Sequence, residues 1–129
     1  MKKLPIIGLI FLLLGPVITH ADENQKIAVA SIGKTEKAPV CHQAARSPYY
    51  IVFDGMGRLT EVVDNPYKNV SGGAGPSVAH FLVQRGVSMV IAGNFGPKII
   101  HALEGNKVTY FQFEGTVGDA VQKALKGRL

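Results

Sequence analysis

"SGGAGPSVAHFLVQRGVSMVIAGNFGPKIIHAL", residues 71–103, is the stretch of sequence that decides the fold. It contains two glycine-containing loops, 71–76 and 94–97, and each loop closes on a proline. Between the loops, apolar residues have helical spacing over 77–86, and a continuous apolar run over 88–93 is typical of a buried strand. The stretch therefore predicts a loop, a helix and a strand, followed by a second loop that leads into another helix.

The flanking sequence adds strands on both sides of this stretch. Apolar runs predict a first strand and then a hairpin whose two strands flank a glycine-containing turn, over 26–31, 49–54 and 58–64. Downstream, the pattern predicts a helix, a strand and a terminal helix over 98–105, 107–113 and 116–127, with Thr116 as the N-cap of the last helix. The predicted order is β-β-β-α-β-α-β-α.

This order of elements predicts the architecture. A hairpin followed by two strand–helix–strand crossovers gives an α/β fold with a five-stranded mixed sheet and helices on its faces. The strand directions bring three loops, within 32–48, 65–75 and 94–96, to one edge of that sheet. Because ligands of open α/β sheets bind at the carboxyl edge, we expect the functional site there.

The two glycine loops have the chemistry of an anion site. Gly72, Gly73 and Gly75 permit close approach of the backbone, and each loop delivers unpaired N–H groups at a helix start, where the helix dipole also favours negative charge. The loops have neither a Walker lysine nor the GxGxxG spacing, which argues against a nucleotide. We therefore predict a pocket for an anionic group, with Asn94 and Gly96 contributed by the second loop.

The N-terminus has the three parts of a secretory signal peptide. Lys2 and Lys3 precede an apolar run over 4–18, and Thr19-His20-Ala21 offers small residues at a cleavage site. The apolar run is short and is interrupted by proline and glycine, which disfavours the alternative of a retained membrane anchor. We expect residues 1–21 to be removed and residues 22–129 to form one domain in the periplasm.

The overall charge does not indicate nucleic-acid binding. The 129 residues include 14 bases and 9 acids, for a net charge of +5, and two of the bases lie in the predicted signal peptide. The remaining bases are scattered and form no run or stripe. We therefore expect no nucleic acid as a partner.

The single cysteine lies beside a histidine in the stretch "PVCHQAARSPYY", residues 39–50. One cysteine cannot form a disulfide within the chain, so in an exported protein it pairs between chains, binds a ligand or is buried. A thiolate with an imidazole favours Cu(I) and then Zn²⁺. We predict Cys41 and His42 as metal ligands and hypothesise a homo-oligomer, because one cysteine and one histidine cannot complete even a three-coordinate site. The alternative is a thiol that only packs or forms an intermolecular disulfide.

The other polar residues give weaker signals. His80 and His101 lie beside the apolar faces of the predicted helices, where a packing or solvated role is more common than ligation. Asp54, Asp64 and Asp119 are scattered over the hairpin and a helix start, so no carboxylate pair indicates hydrolysis.

Taken together, "KIAVAS", "APV", "ARSPYYIVFD" and the stretch "GGAGPSVAHFLVQRGVSMVIAGNFGPKIIHAL" resemble the dinitrogenase iron–molybdenum cofactor biosynthesis family over nearly all of 26–125. This family includes carrier domains of nitrogenase cofactor assembly and proteins that hold a molybdenum–copper sulfide cluster. The resemblance implies a ribonuclease H-like fold, binding of an anionic metal–sulfur cluster and no catalysis. It also implies that Arg46 neutralises cluster charge or caps a carbonyl group.

The sequence departs from the family pattern in two places. Members are typically cytoplasmic, whereas this chain carries a predicted signal peptide. Where relatives read "FGRAPYF", this chain reads "CHQAARSPYY", and the change suggests altered ligation.

Three functions from different classes stay open, in descending order of support. The first is an exported carrier of a metal or metal–sulfur cluster, with copper or a copper/molybdenum-sulfide cluster as its cargo. The second is a binding module for a small anion or organic ligand without metal. The third is a hydrolase with Cys41 as nucleophile and His42 as base, which their adjacency disfavours because a base must reach the proton of its nucleophile.

Overall fold

The computed structural model describes residues 24–127, and the predicted signal peptide lies outside these residues. The order of strands and helices is the predicted one, with one additional short 3₁₀ helix. The elements are β1 Lys26–Ser31, the 3₁₀ helix Ala44–Arg46, β2 Tyr49–Asp54, β3 Leu59–Asp64, α1 Ala74–Gln84, β4 Val87–Ala92, α2 Pro97–Gly105, β5 Thr109–Gln112 and α3 Val117–Gly127.

The five strands form one mixed sheet in the order β3-β2-β1-β4-β5. The pairs β1–β2 and β2–β3 are antiparallel, whereas β1–β4 and β4–β5 are parallel. This confirms the predicted α/β fold of the ribonuclease H-like class. Because β4 and β5 run parallel to β1, the loop that follows β4 lies at the same edge of the sheet as the loop that follows β1.

The core has two layers, one on each face of the sheet. The face that carries Tyr50 and Val52 packs against α1 and α2. The face that carries Ile51 and Phe53 packs against α3. This alternation follows from the two-residue period of strand β2. The central strand β1 is covered on both faces, which is why its sequence is a continuous apolar run.

Several element boundaries differ from the prediction, and the largest shifts at a start are those of α1 and β5. Helix α1 begins at Ala74, three residues before the predicted start at 77, so Pro76 is its third residue. A proline is tolerated there because the N–H groups of the first helical turn have no acceptor within the helix. Strand β5 begins two residues late because Lys107 is left-handed, with φ 60°, and the N–H of Val108 donates to Leu103 at the end of α2.

Within residues 24–127, no helix combines the length and apolar character that crossing a bilayer requires.

The hairpin turn between β2 and β3 is organised by Asp54. One carboxylate oxygen accepts hydrogen bonds from the N–H groups of Met56 and Arg58, both at 2.9 Å. The other oxygen accepts from Arg58 Nε at 2.8 Å. These bonds, led by the one from the Arg58 N–H, lower the pKa of Asp54 below its ordinary value of 3.8.

The turn therefore makes stability depend on pH. Since the folded-state pKa is lowered, the stabilisation by the Asp54 charge is complete above the ordinary carboxyl pKa and is lost as the pH falls through the lowered value. We expect Asp54→Asn to lower the free energy of unfolding at about pH 7, and the difference from wild type to shrink at about pH 3. Urea unfolding at both pH values measures this. The exposed Asp64 supplies the control Asp64→Asn, and an Asp54 difference independent of pH would contradict the prediction.

Candidate functional site

A cavity of about 380 Å³ lies at the edge of the sheet where the predicted loops meet. Its walls come from three segments of the chain, namely the 3₁₀ helix, the start of α1 and the start of α2. The lining residues are Ala45, Arg46, Gly72, Gly73, Ala74, Gly75, Gly96, Pro97, Lys98 and Ile99.

Two helices begin at this cavity without a side-chain cap. The N-cap residues of α1 and α2 are Gly73 and Gly96, and no side chain accepts a hydrogen bond at either start. The first intrahelical bonds are donated by Ser77 and Ile100, so the preceding N–H groups have no acceptor within their helices. Both starts therefore offer unpaired donors and partial positive charge to the cavity.

The start of the third helix, in contrast, has its N–H groups bonded within the chain. The N–H groups of Val117 and Gly118 donate to the carbonyl groups of Ala38 and Glu36, both at 2.9 Å. The N–H of Asp119 donates to the Thr116 hydroxyl at 3.1 Å, as predicted for this N-cap. A larger groove of about 740 Å³ lies beside this start. Its wall contains Lys34 and Lys37 together with the carboxylate of Glu36, and because the helix-start donors are already bonded, it lacks the open N–H groups of the smaller cavity.

Three glycines leave the cavity wall open. A Cβ atom built on Gly72, Gly73 or Gly96 would meet nothing within 4 Å. Gly73 also has a φ of 73°, in the left-handed region that side chains disfavour. Backbone atoms therefore border open space here, and a ligand can approach them closely.

The charge of the cavity wall comes from Arg46 and Lys98. No carboxylate pairs with either side chain among residues 24–127, where the ion pairs involve other groups. One guanidinium nitrogen of Arg46 donates to the carbonyl groups of Lys68 and Val70, at 3.1 Å for the first. Arg46 thus caps carbonyl groups, one of its two expected roles, and keeps its net positive charge.

Comparison with known proteins identifies the family of this chain. The family described as "Dinitrogenase iron-molybdenum cofactor" matches residues 25–127. The chain belongs to this family. The apo form of the orange protein from Desulfovibrio gigas is 33% identical, with a TM-score of 0.76, and the match covers 81% of this chain and 89% of that one. A putative NifB protein from Thermotoga is 34% identical, with a TM-score of 0.69, covering 80% of this chain and 89% of that one.

A third solved structure, PH0822, is 18% identical with a TM-score of 0.66, over 79% of this chain and 91% of that one, and shows a shared fold. No curated protein sequence matches this chain. The family match confirms the resemblance that the two glycine loops carry.

Most of the predicted binding residues of this protein lie close together in the structure. Five of them line the cavity, namely Arg46, Gly72, Gly73, Gly75 and Gly96. Asn94 does not line it, contrary to the prediction. Its carbonyl group accepts from the Ala44 N–H at 3.2 Å and its side-chain oxygen accepts from Gln112 at 2.8 Å, so it anchors the loops behind the cavity. Sequence reasoning missed Lys98, whose signal is its place directly after the Gly-Pro start of α2.

The 3₁₀ helix that carries Arg46 is anchored by buried polar groups. The Tyr50 hydroxyl donates to the carbonyl group of Ala44, and the Asn65 side chain donates to that of Ala45 at 3.0 Å. Burial, and to a smaller extent the neighbouring Cys41, raise the pKa of Tyr50 far above its ordinary value. Tyr50 therefore stays protonated and remains a donor, which holds Arg46 at the cavity wall.

Cys41 does not face the cavity, which corrects the expectation that its sulfur lies at the binding edge. It is only 7% exposed and packs in the core on the α1–α2 face. Its sulfur donates to the Gln43 carbonyl at 3.6 Å, and its backbone bonds to Ala30 and Gly93, at 2.8 and 2.9 Å. The segment around Cys41 is an extended chain at the edge of the sheet, so its successive side chains point to opposite faces. Cys41 occupies a position that faces the core, and its thiol is therefore turned inward.

His42 points away from Cys41 and is exposed. Its Nδ1 atom lies 3.5 Å from a carboxylate oxygen of Glu114. Gly93 permits this arrangement, because a Cβ there would lie 2.7 Å from the Cα of His42. Within residues 24–127, no three histidine, cysteine or acidic side chains form a group suited to a metal ion. Ligation by Cys41 and His42 stays a prediction, and the structure separates the two side chains.

Proposed function

We propose that this protein binds and carries an anionic metal–sulfur cluster in the cavity between the starts of α1 and α2. Membership in the dinitrogenase iron-molybdenum cofactor family supports a cofactor-binding or carrier role. The observation that carries the proposal is the pairing of two uncapped helix starts with Arg46 and Lys98, in a wall that contains no carboxylate.

The wall suits a metal–sulfur cluster in charge and in shape. Sulfide and oxo groups at the surface of such a cluster accept hydrogen bonds and carry negative charge, which matches N–H donors, a guanidinium group and an ammonium group. The open positions at Gly72, Gly73 and Gly96 let a rigid, compact anion lie against the backbone. A volume of about 380 Å³ accommodates a small cluster.

The kinds of side chain in the cavity wall also favour transfer of the cluster to another protein over permanent binding. The lining residues include no thiol, imidazole or carboxylate, so the wall supplies hydrogen bonds and charge in place of metal–ligand bonds. Hydrogen bonds exchange readily with those of an acceptor protein, whereas thiolate ligation holds a metal tightly. The proposed role is therefore binding and transfer, with no reaction assigned to this chain.

We further propose that the cluster contains copper, and this part of the proposal rests on Cys41. A thiolate is a preferred ligand of Cu(I). The sulfur lies in the core beside the 3₁₀ helix, so ligation requires the segment around residue 41 to open. This part of the proposal includes a homo-oligomer, in which Cys41 residues of two or more subunits share the metal.

A second candidate is a small-anion binding module without metal. The specific observation in its favour is that Cys41 and His42 are both absent from the cavity wall. The two candidates differ in one measurable respect, since only the carrier distinguishes a metal–sulfur anion from a simple oxoanion.

The cavity charge predicts the outcome of a titration. We expect the purified protein to bind tetrathiomolybdate, alone or with Cu(I), more tightly than molybdate, because the larger sulfur anion fills more of the cavity of about 380 Å³ and reaches its open glycine wall. Lys98→Gln should weaken binding by about tenfold, equivalent to about 1.4 kcal/mol, because it removes a charge from the cavity wall. Absorption spectroscopy with metal and sulfide analysis measures this.

The matched control for this titration is Lys126→Gln, which removes an exposed charge at the end of α3. Equal losses in both variants would indicate a general charge effect and contradict the proposed site. Equal affinity for tetrathiomolybdate and molybdate would favour the metal-free module.

Cys41→Ser tests the copper ligand. If the thiolate ligates, Cu(I) affinity in competition with a chromophoric chelator should fall by at least about tenfold. His101→Gln, at an exposed position on α2, is the control, and thermal unfolding of each variant separates lost ligation from lost packing. Unchanged copper stoichiometry and affinity in Cys41→Ser would show that the thiol has only a packing role.

Export is the remaining part of the proposal, and it rests on the signal-peptide pattern of residues 1–21. When the full chain is expressed in a bacterium with its own leader, we expect the periplasmic fraction to contain a product that begins at Asp22. Mass spectrometry of the intact protein measures the cleavage. An uncleaved chain confined to the cytoplasm would contradict it.

A further inference from the structure

We propose that Gly75 is a positioning residue that sets the distance between the two helix starts at the cavity. Gly75 is the second residue of α1, and Ile99 is the third residue of α2. A Cβ atom built on Gly75 would lie 3.0 Å from the backbone nitrogen of Ile99, 3.2 Å from its Cβ and 3.3 Å from its Cα. The two helices therefore touch through backbone at the point where both begin.

The contact leaves little room for local adjustment. The atoms that a side chain at Gly75 would meet belong to the backbone and Cβ of Ile99, which is 1% exposed and packed in the core. A methyl group there must displace the start of α2 by a few tenths of an ångström, because no flexible side-chain end can move aside instead. It would also lie against the Ile99 N–H, one of the unpaired donors of the first turn.

Spacing matters because the proposed ligand is held from both sides. N–H donors hold an acceptor within a narrow range of about 2.7–3.2 Å, so a rigid anion cannot follow two donor groups that move apart. A small increase in the separation therefore weakens one set of hydrogen bonds. This gives Gly75 a role different from that of Gly72, Gly73 and Gly96, which face open space and leave room for the ligand itself.

The backbone conformation does not require glycine at this position. The φ angle of Gly75 is not in the left-handed region, and alanine is a better helix former than glycine. Gly75→Ala is therefore expected to keep the fold, because the gain in helix propensity offsets part of the cost of the local displacement. A stable protein with a damaged binding site is the signature that separates positioning from packing.

This inference rests on the proposed function, and its test compares two glycine-to-alanine changes. Gly105→Ala is the matched control, since Gly105 is the last residue of α2 and a Cβ there meets nothing within 4 Å. We expect Gly75→Ala to bind tetrathiomolybdate at least about tenfold more weakly than wild type, while it still unfolds in a cooperative thermal transition. Gly105→Ala should bind within about twofold of wild type. In NMR spectra of the ligand-free proteins, the amide resonances of Lys98 and Ile99 should shift in Gly75→Ala and not in Gly105→Ala.

Each other outcome counts against the inference in a distinct way. Wild-type affinity in Gly75→Ala overturns it and leaves the proposed function intact. Loss of the fold in Gly75→Ala makes the residue a general packing element and overturns its positioning role. If wild type itself does not bind the probe, the proposed function fails and the inference fails with it.

Discussion

The close contact of two helix starts at one edge of the sheet is the constraint on which the rest of this structure depends. Gly75 and Ile99 meet through backbone atoms, and the first-turn N–H groups of α1 and α2 remain without intrahelical acceptors. Unpaired donors that are buried without a partner are costly, so they must border solvent or a ligand. The cavity between the helices meets this requirement.

The sheet topology makes this contact possible. Because β3, β4 and β5 point in the same direction, both crossover helices begin at the same edge, and both pack on the same face of the sheet. The third helix also begins near that edge but packs on the opposite face, where the carbonyl groups of the 32–39 loop occupy its donors. The start of the third helix is therefore capped, whereas the starts of α1 and α2 are open to the cavity.

The opposite side of the cavity wall is held in place by buried side chains that are not themselves ligands. Tyr50 and Asn65 hold the short helix that carries Arg46, and Arg46 in turn holds the carbonyl groups of Lys68 and Val70. The thiol of Cys41 packs behind this helix. A cluster in the cavity would therefore meet a positively charged wall, with the thiol of Cys41 one layer deeper in the core.

The sequence by itself determined the order of the elements, the α/β class, the edge of the sheet at which the cavity lies and five of the residues that line it. These follow from local patterns, since strand periodicity, helix stops and glycine loops each depend on neighbours in the chain. The inward turn of Cys41, the anchoring role of Asn94, the contribution of Lys98 and the contact of Gly75 with Ile99 were decided only by the tertiary structure. Each depends on which side chains from distant segments pack together, and a one-residue change in the phase of an extended segment is enough to move a thiol from the surface into the core.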